Sequence, residues 1–172
     1  MQQETSKEDL IILGMGNKFF GDDGVGIIIA EKLSEILKDQ KNITVEETNW
    51  GGFRIIDLLS GYKNTIVVDA LKTGKMPVGY IHNLDYKELI HSVRMVSFHD
   101  VNFATAVEFA KEIGRPMPEN ITVFAIEVEE TDHFSETLTP KVKEAIDTCI
   151  QMIMEEIKEK FQLETIHDIE IL

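Results

Sequence analysis

The stretch Leu10-Ile11-Ile12-Leu13-Gly14-Met15-Gly16-Asn17-Lys18-Phe19-Phe20-Gly21-Asp22-Asp23-Gly24-Val25-Gly26 passes from an apolar run through a glycine-rich loop into a helical pattern. The run Leu10 to Leu13 is continuous and halted by Gly14, as expected of a strand covered on both faces. From Val25 onward, apolar side chains recur at Ile28, Ile29, Leu33, Ile36 and Leu37, which puts them on one stripe of a helix and leaves Glu31, Lys32 and Glu35 outside it. Strand, loop and helix in that order form the opening of a βαβ unit.

The same alternation continues along the chain. Ile43-Thr44-Val45 reads as a second strand, Gly51-Gly52 as a tight loop, and Phe53 to Leu59 as a short helix closed by Gly61. Thr65-Ile66-Val67-Val68 is a third buried strand stopping at Asp69, and Val78 to Leu84 is a more polar strand expected at a sheet edge. Tyr86 to Met95 has a weak amphipathic pattern. Ser97 and Asp100 have capping-box spacing, which predicts a helix running through Val101, Ala104, Val107 and Ala110 to Gly114, with Pro116 and Pro118 preventing its continuation. Ile121 to Val128 is another strand. Thr139-Pro140 then provides an N-cap and a proline at the first helical position, opening a helix striped by Val142, Ile146, Cys149, Ile153 and Ile157. The pattern predicts a three-layer α/β sandwich: a twisted, mainly parallel sheet with helices on both faces. It forms one domain over residues 1–172 with its core at about 10–160.

Composition narrows the functional classes. Seventeen basic against 31 acidic residues leave a formal charge of −14, which disfavours contact with phosphate backbones and anionic lipid surfaces. A 43% hydrophobic, 28% charged chain suits an ordinary globule rather than a disordered segment or a fibre. The single cysteine, Cys149, excludes an internal disulfide framework and any Cys-based zinc or iron–sulfur site, and its place on an apolar helix stripe marks it as a core residue. Residues Met1 to Asp9 lack the basic and apolar segments of a signal peptide, and no apolar run approaches the ~20 residues of a membrane span, so the expected location is cytoplasmic.

The first loop is a poor phosphate cradle. A G-x-G-x-x-G match needs glycine where Phe19 stands, Asp22 and Asp23 put carboxylates where a pyrophosphate would meet a helix N-terminus, and no Gly-Lys-Ser/Thr follows. There is no H-E-x-x-H helix and no Gly-x-Ser-x-Gly elbow. Three ionisable residues do fall where strands end and helices begin: Asp23, Asp69 and His99. In an open α/β sheet such positions face one crevice, and two carboxylates with an imidazole form an O/O/N set suited to a divalent transition metal with positions left for water or substrate. From position alone, helix caps and turn formers are the commoner reading of all three. His82, His91, His133 and His167 read as surface or edge residues.

Leu13-Gly14-Met15-Gly16-Asn17 followed by Asp22-Asp23-Gly24-Val25-Gly26 resembles the opening motif of the hydrogenase maturation endopeptidases, which process the large subunit of nickel-iron hydrogenases. The resemblance continues in order through Gly51-Gly52, Val67-Val68-Asp69-Ala70, Ser97-Phe98-His99 and Leu138-Thr139-Pro140-Lys141-Val142. It implies an endopeptidase that removes a C-terminal extension from a hydrogenase large-subunit precursor once nickel is inserted. Asp23, Asp69 and His99 would serve as catalytic and metal-facing residues. The implied nickel belongs to the substrate, although zinc or cadmium would suit the same donors, and the implied partner is the precursor. Phe19, Phe20 and Trp50, on loops predicted near the crevice, are expected to contact it. Trp50-Gly51-Gly52-Phe53-Arg54-Ile55 keeps only the double glycine of the family's Asp-Gly-Gly-Thr-x-Gly, a departure that bears on the hydrogenase subtype. Two rival classes use other chemistry: a non-catalytic nickel-binding assembly factor, and a flavodoxin-like nucleotide module that Asp22 and Asp23 oppose.

Overall fold

The computed structural model describes residues 10–49, 53–89, 103–129 and 133–160. In chain order these form β1 (Leu10–Met15), α1 (Val25–Ile36), β2 (Ile43–Thr48), α2 (Arg54–Leu59), β3 (Asn64–Leu71), β4 (Ile81–Asp85), α3 (Phe103–Glu112), β5 (Asn120–Glu127) and α4 (Pro140–Lys160), with 3₁₀ turns at Gly21–Gly24 and Tyr86–Glu88. The strands make one sheet of order β2-β1-β3-β5-β4. The first four are parallel, and β4 runs antiparallel at the edge.

Alternation along the strands divides the core into two layers. Leu10, Ile12, Ile66, Val68, Phe124 and Ile126 point to the face covered by α1 and α4. Ile11, Leu13, Val67, Val123 and Ala125 point to the face covered by α2 and α3, with Tyr86 and Leu89 completing that layer. The central strands carry apolar residues at successive positions because both faces are buried, which is why period-2 patterning is absent from them. On α1, Val25, Ile29, Ala30 and Leu33 are fully buried while Glu31, Lys32 and Glu35 are exposed, as the stripe predicts. Cys149 is buried within the α4 stripe, and burial pushes its thiol up to about 12.

Some boundaries differ from the sequence reading. β3 continues two residues beyond Asp69, because Ala70 and Leu71 stay paired with Ile126 and Glu127 of β5. β4 starts at Ile81 rather than Val78, since Gly79 adopts φ +88° and turns the chain first. Within the segment 86–95 expected to be helical, Tyr86–Glu88 form a 3₁₀ turn opened by a capping box between Asp85 and Glu88, Leu89 is helical, and the remainder from 90 lies outside the described residues. The predicted Ser97/Asp100 capping box and the Gly51-Gly52 loop also lie outside them. Among the described residues, no helix is long and apolar enough to cross a membrane.

Candidate active site

The four parallel strands deliver their C-terminal ends to one edge of the sheet, and two of the three candidate residues are found there. Asp23 sits in the Gly21–Gly24 turn that follows β1 and lies against β3. Asp69 is inside β3, on the α2/α3 side of the sheet with Val67 and Leu71. His99 lies outside the described residues, four positions before α3 begins at Phe103.

Both carboxylates are buried. Asp69 is wholly enclosed and Asp23 nearly so, and Oδ1 of Asp23 and Oδ2 of Asp69 are shielded from solvent. The other oxygen of Asp69, Oδ1, accepts a 2.8 Å bond from the Ala70 N–H. Burying an acidic group is costly unless charge or hydrogen bonds compensate, so enclosed carboxylates near the C-terminal ends of the strands single out Asp23 and Asp69 as candidates for a functional role.

Two glycines account for this placement. At Gly16, φ is +135° and an added Cβ would stand 1.8 Å from the carbonyl oxygen of Asp23, so the loop folds onto its own end only with hydrogen as the side chain. At Gly26, an added Cβ would meet the carbonyl oxygens of Met15 and Val68, each at 2.3 Å. The first turn of α1 therefore rests directly on the backbone of β1 and β3, one residue before Asp69. The glycines that resemble a dinucleotide loop serve close backbone packing.

The neighbouring acid has a separate task. The N-cap of α1 is Gly24, without a side-chain cap. Asp22 reaches instead to the start of α4, where its oxygens accept from the Thr139 N–H at 2.7 Å and the Thr139 hydroxyl at 2.8 Å. It neutralises a free backbone donor at the positive end of a 21-residue helix. Backbone bonds reinforce the junction: Gly21 N–H donates to Ser135 O at 2.6 Å and Ser135 N–H to Phe19 O at 2.9 Å. The loop's aromatics face outward. Phe19 stacks on the exposed Phe134 with ring centres 6.0 Å apart, and Phe20 is partly exposed, while Trp50 lies outside the described residues.

One functional-looking residue escaped the sequence reading. Glu127, at the end of β5, is 1% exposed and accepts a 2.9 Å bond from His82 Nε2 on β4 together with donors from Thr73 and Gly74. Burial pushes its carboxyl upward, but the imidazole and the Thr73 and Gly74 donors outweigh it and hold the carboxyl below its ordinary value. The signal in the sequence was a lone acid inside the apolar run Ile121 to Val128. His82 lies on the edge strand as expected, but its side chain is only 14% exposed.

Among the described residues, no three His, Cys, Asp or Glu side chains gather as a metal-binding group. The oxygen donors of Asp23 and Asp69 suit a divalent transition metal in kind, with His99 the nitrogen donor that the sequence adds.

Comparison with known proteins agrees with this architecture. The family model for hydrogenase maturation protease matches residues 27–156. A Methanocaldococcus jannaschii protein whose name includes the words hydrogenase maturation protease is 29% identical over 154 residues, covering 88% of this chain and 98% of that one. The hydrogenase expression/formation protein HupD of Thiocapsa roseopersicina is 24% identical over 152 residues, covering 87% and 68%. Among solved structures, the hydrogenase maturating endopeptidase HybD from E. coli superposes with a TM-score of 0.68 at 18% identity, over 87% of this chain and 92% of that one. The hydrogenase maturation protease HycI from Thermococcus kodakarensis KOD1 gives 0.68 at 21% identity, over 90% and 95%. This chain belongs to the hydrogenase maturation protease family.

Proposed function

We propose that this protein is the endopeptidase that removes a C-terminal extension from a nickel-iron hydrogenase large-subunit precursor after nickel has been inserted, acting through Asp23, Asp69 and His99. The observation that carries this reading is the pair of buried carboxylates at the C-terminal edge of the parallel sheet in a chain of this family. Nickel enters as part of the substrate. Carboxylate and imidazole donors without a thiolate bind nickel or zinc modestly, so the precursor's own thiolates hold the metal and these side chains approach it from the other side. A divalent metal so placed supplies polarisation of the scissile carbonyl and acidification of an attacking water. A buried carboxylate, Asp23 or Asp69, takes the water's proton as general base. Phe19 and Phe20, exposed beside the Asp22–Asp23 turn, contact the precursor. Phe20→Ala weakens precursor binding without unfolding the domain, and unchanged affinity removes that role.

The test is the intact mass of nickel-loaded precursor before and after incubation with the protein and with its His99→Ala variant. Loss of one C-terminal peptide with the parent and none with the variant supports the reading. An unchanged mass with verified nickel and the cognate precursor overturns it in favour of a non-catalytic assembly factor.

A further inference from the structure

Glu127 grips the loop that joins β3 to β4. Its carboxylate accepts from the Thr73 N–H at 2.7 Å, the Thr73 hydroxyl at 2.8 and 2.9 Å, and the Gly74 N–H at 2.8 Å. Its backbone holds the other end of the loop, donating to Tyr80 O at 2.8 Å and accepting from Gly79 N–H at 2.9 Å. His82 completes the carboxylate's shell and is packed edge-on by Tyr80, ring centres 4.9 Å apart. A buried carboxylate with this many donors from one segment fixes that segment's shape. At Gly79 the loop presses on α4, since an added Cβ would lie 2.7 Å from Lys141 O.

The clamped loop forms one wall of a trough. A cavity of about 330 Å³ beside Met76 and Pro77 adjoins one of about 440 Å³ that reaches Asp22 and Lys141, and Val78 and Glu129 line both. The trough therefore runs from an exposed methionine to Asp22, the residue before Asp23 in the chain.

We propose that this trough receives the extended precursor segment flanking the scissile bond, that Met76 and Val78 contact an apolar side chain of that segment, and that Glu127 with His82 is a positioning pair holding the loop 72–80 in place. The proposal rests on the endopeptidase reading. Its end at Asp22, one residue before Asp23 in the chain, and an apolar wall of Met76, Pro77 and Val78 fit a polypeptide passing in extended form, at about 3.3 Å per residue.

The test uses the full chain and nickel-loaded precursor. Met76→Asp changes an exposed residue, and its thermal unfolding should match the parent. In a precursor-processing time course it raises KM about tenfold with kcat within twofold, because binding common to ground and transition states is lost. Glu127→Ala raises KM similarly and deprotects the 73–80 amides to hydrogen exchange, while Glu127→Gln, which keeps acceptors for Thr73 and Gly74, recovers part of both. Independently of cleavage, a photoreactive benzophenone side chain at position 76 crosslinks to the precursor beside its cleavage site. An unchanged KM in Met76→Asp, or a crosslink that maps elsewhere on the precursor, overturns the trough. If the parent protein leaves the precursor's mass unchanged, it is the endopeptidase reading that fails, and the crosslink still decides whether the trough binds this polypeptide.

Discussion

Replacing Gly16 with alanine tests the placement of Asp23 most directly. The new methyl would stand 1.8 Å from the Asp23 carbonyl oxygen, so the two backbone segments must part by about 1.6 Å to reach the 3.4 Å at which ordinary contact begins. The φ of +135° adds strain of about 1–3 kcal/mol, which for a chain of this size lowers Tm by roughly 2–12 °C. A misplacement of about 1 Å at a reacting group costs on the order of 100-fold in rate, so processing of the nickel-loaded precursor should fall at least that far. Gly114→Ala is the control: its φ is +77°, but nothing lies within 4 Å of the added carbon, so it carries the backbone penalty without the collision. Thermal unfolding and precursor mass, measured on both variants, separate the two effects. If Gly16→Ala processes precursor within about threefold of Gly114→Ala, the apposition of Gly16 and Asp23 is not what positions the acid, and the reasoning fails.

Further outcomes follow from other contacts. Asp22→Ala should cost about 1–3 kcal/mol, a fall in Tm of roughly 2–12 °C, because the Thr139 N–H and hydroxyl lose their acceptor. An unchanged Tm would show that the contact between the first loop and α4 adds no net stability. Glu127 has a carboxyl held below its ordinary value, so the stability it adds is present above the unfolded value near 4.5 and is lost as pH falls through the folded value. Denaturant titrations below pH 4.5 should therefore show a shallower pH slope in Glu127→Gln than in the parent, and equal slopes would contradict this. Cys149, buried with its thiol pushed up to about 12, should resist iodoacetamide at pH 8 until the chain is unfolded, and rapid native labelling would mean that α4 opens readily.

The layers and the mainly parallel sheet followed from patterns that a single chain displays. Buried parallel strands must be apolar throughout, and Leu10 to Leu13 and Thr65 to Val68 carry that mark, while the stripe from Val25 to Leu37 can only be a helix lying on them. Asp69 was harder, because a carboxylate after four apolar residues reads as the end of a strand. Nothing local reveals that β5 continues beside it for two further pairs. Asp22 shows the same blindness from the other side. It was legible as an acid at a helix start, but the helix it serves begins at Pro140 rather than Val25. The bond between Glu127 and His82 was illegible for a related reason: it depends on β4 pairing antiparallel to β5, a register decided by the whole sheet rather than by either segment. His99, by contrast, was named through family resemblance and lies outside the described residues.

The bond between Asp22 and Thr139 also imposes an order in time. Its partners are 117 residues apart in the chain, and closing so long a loop is a late, entropically costly event. At about 5–20 residues per second, roughly 6–23 s pass during synthesis between the appearance of Asp22 and that of Thr139. A nascent chain that has already made β1 and the Asp22–Asp23 turn must wait for the start of α4 before that turn gains its outer support. A chain ending between Glu127 and Thr139 would contain all five strands but lack the helix start that anchors the Asp22–Asp23 turn.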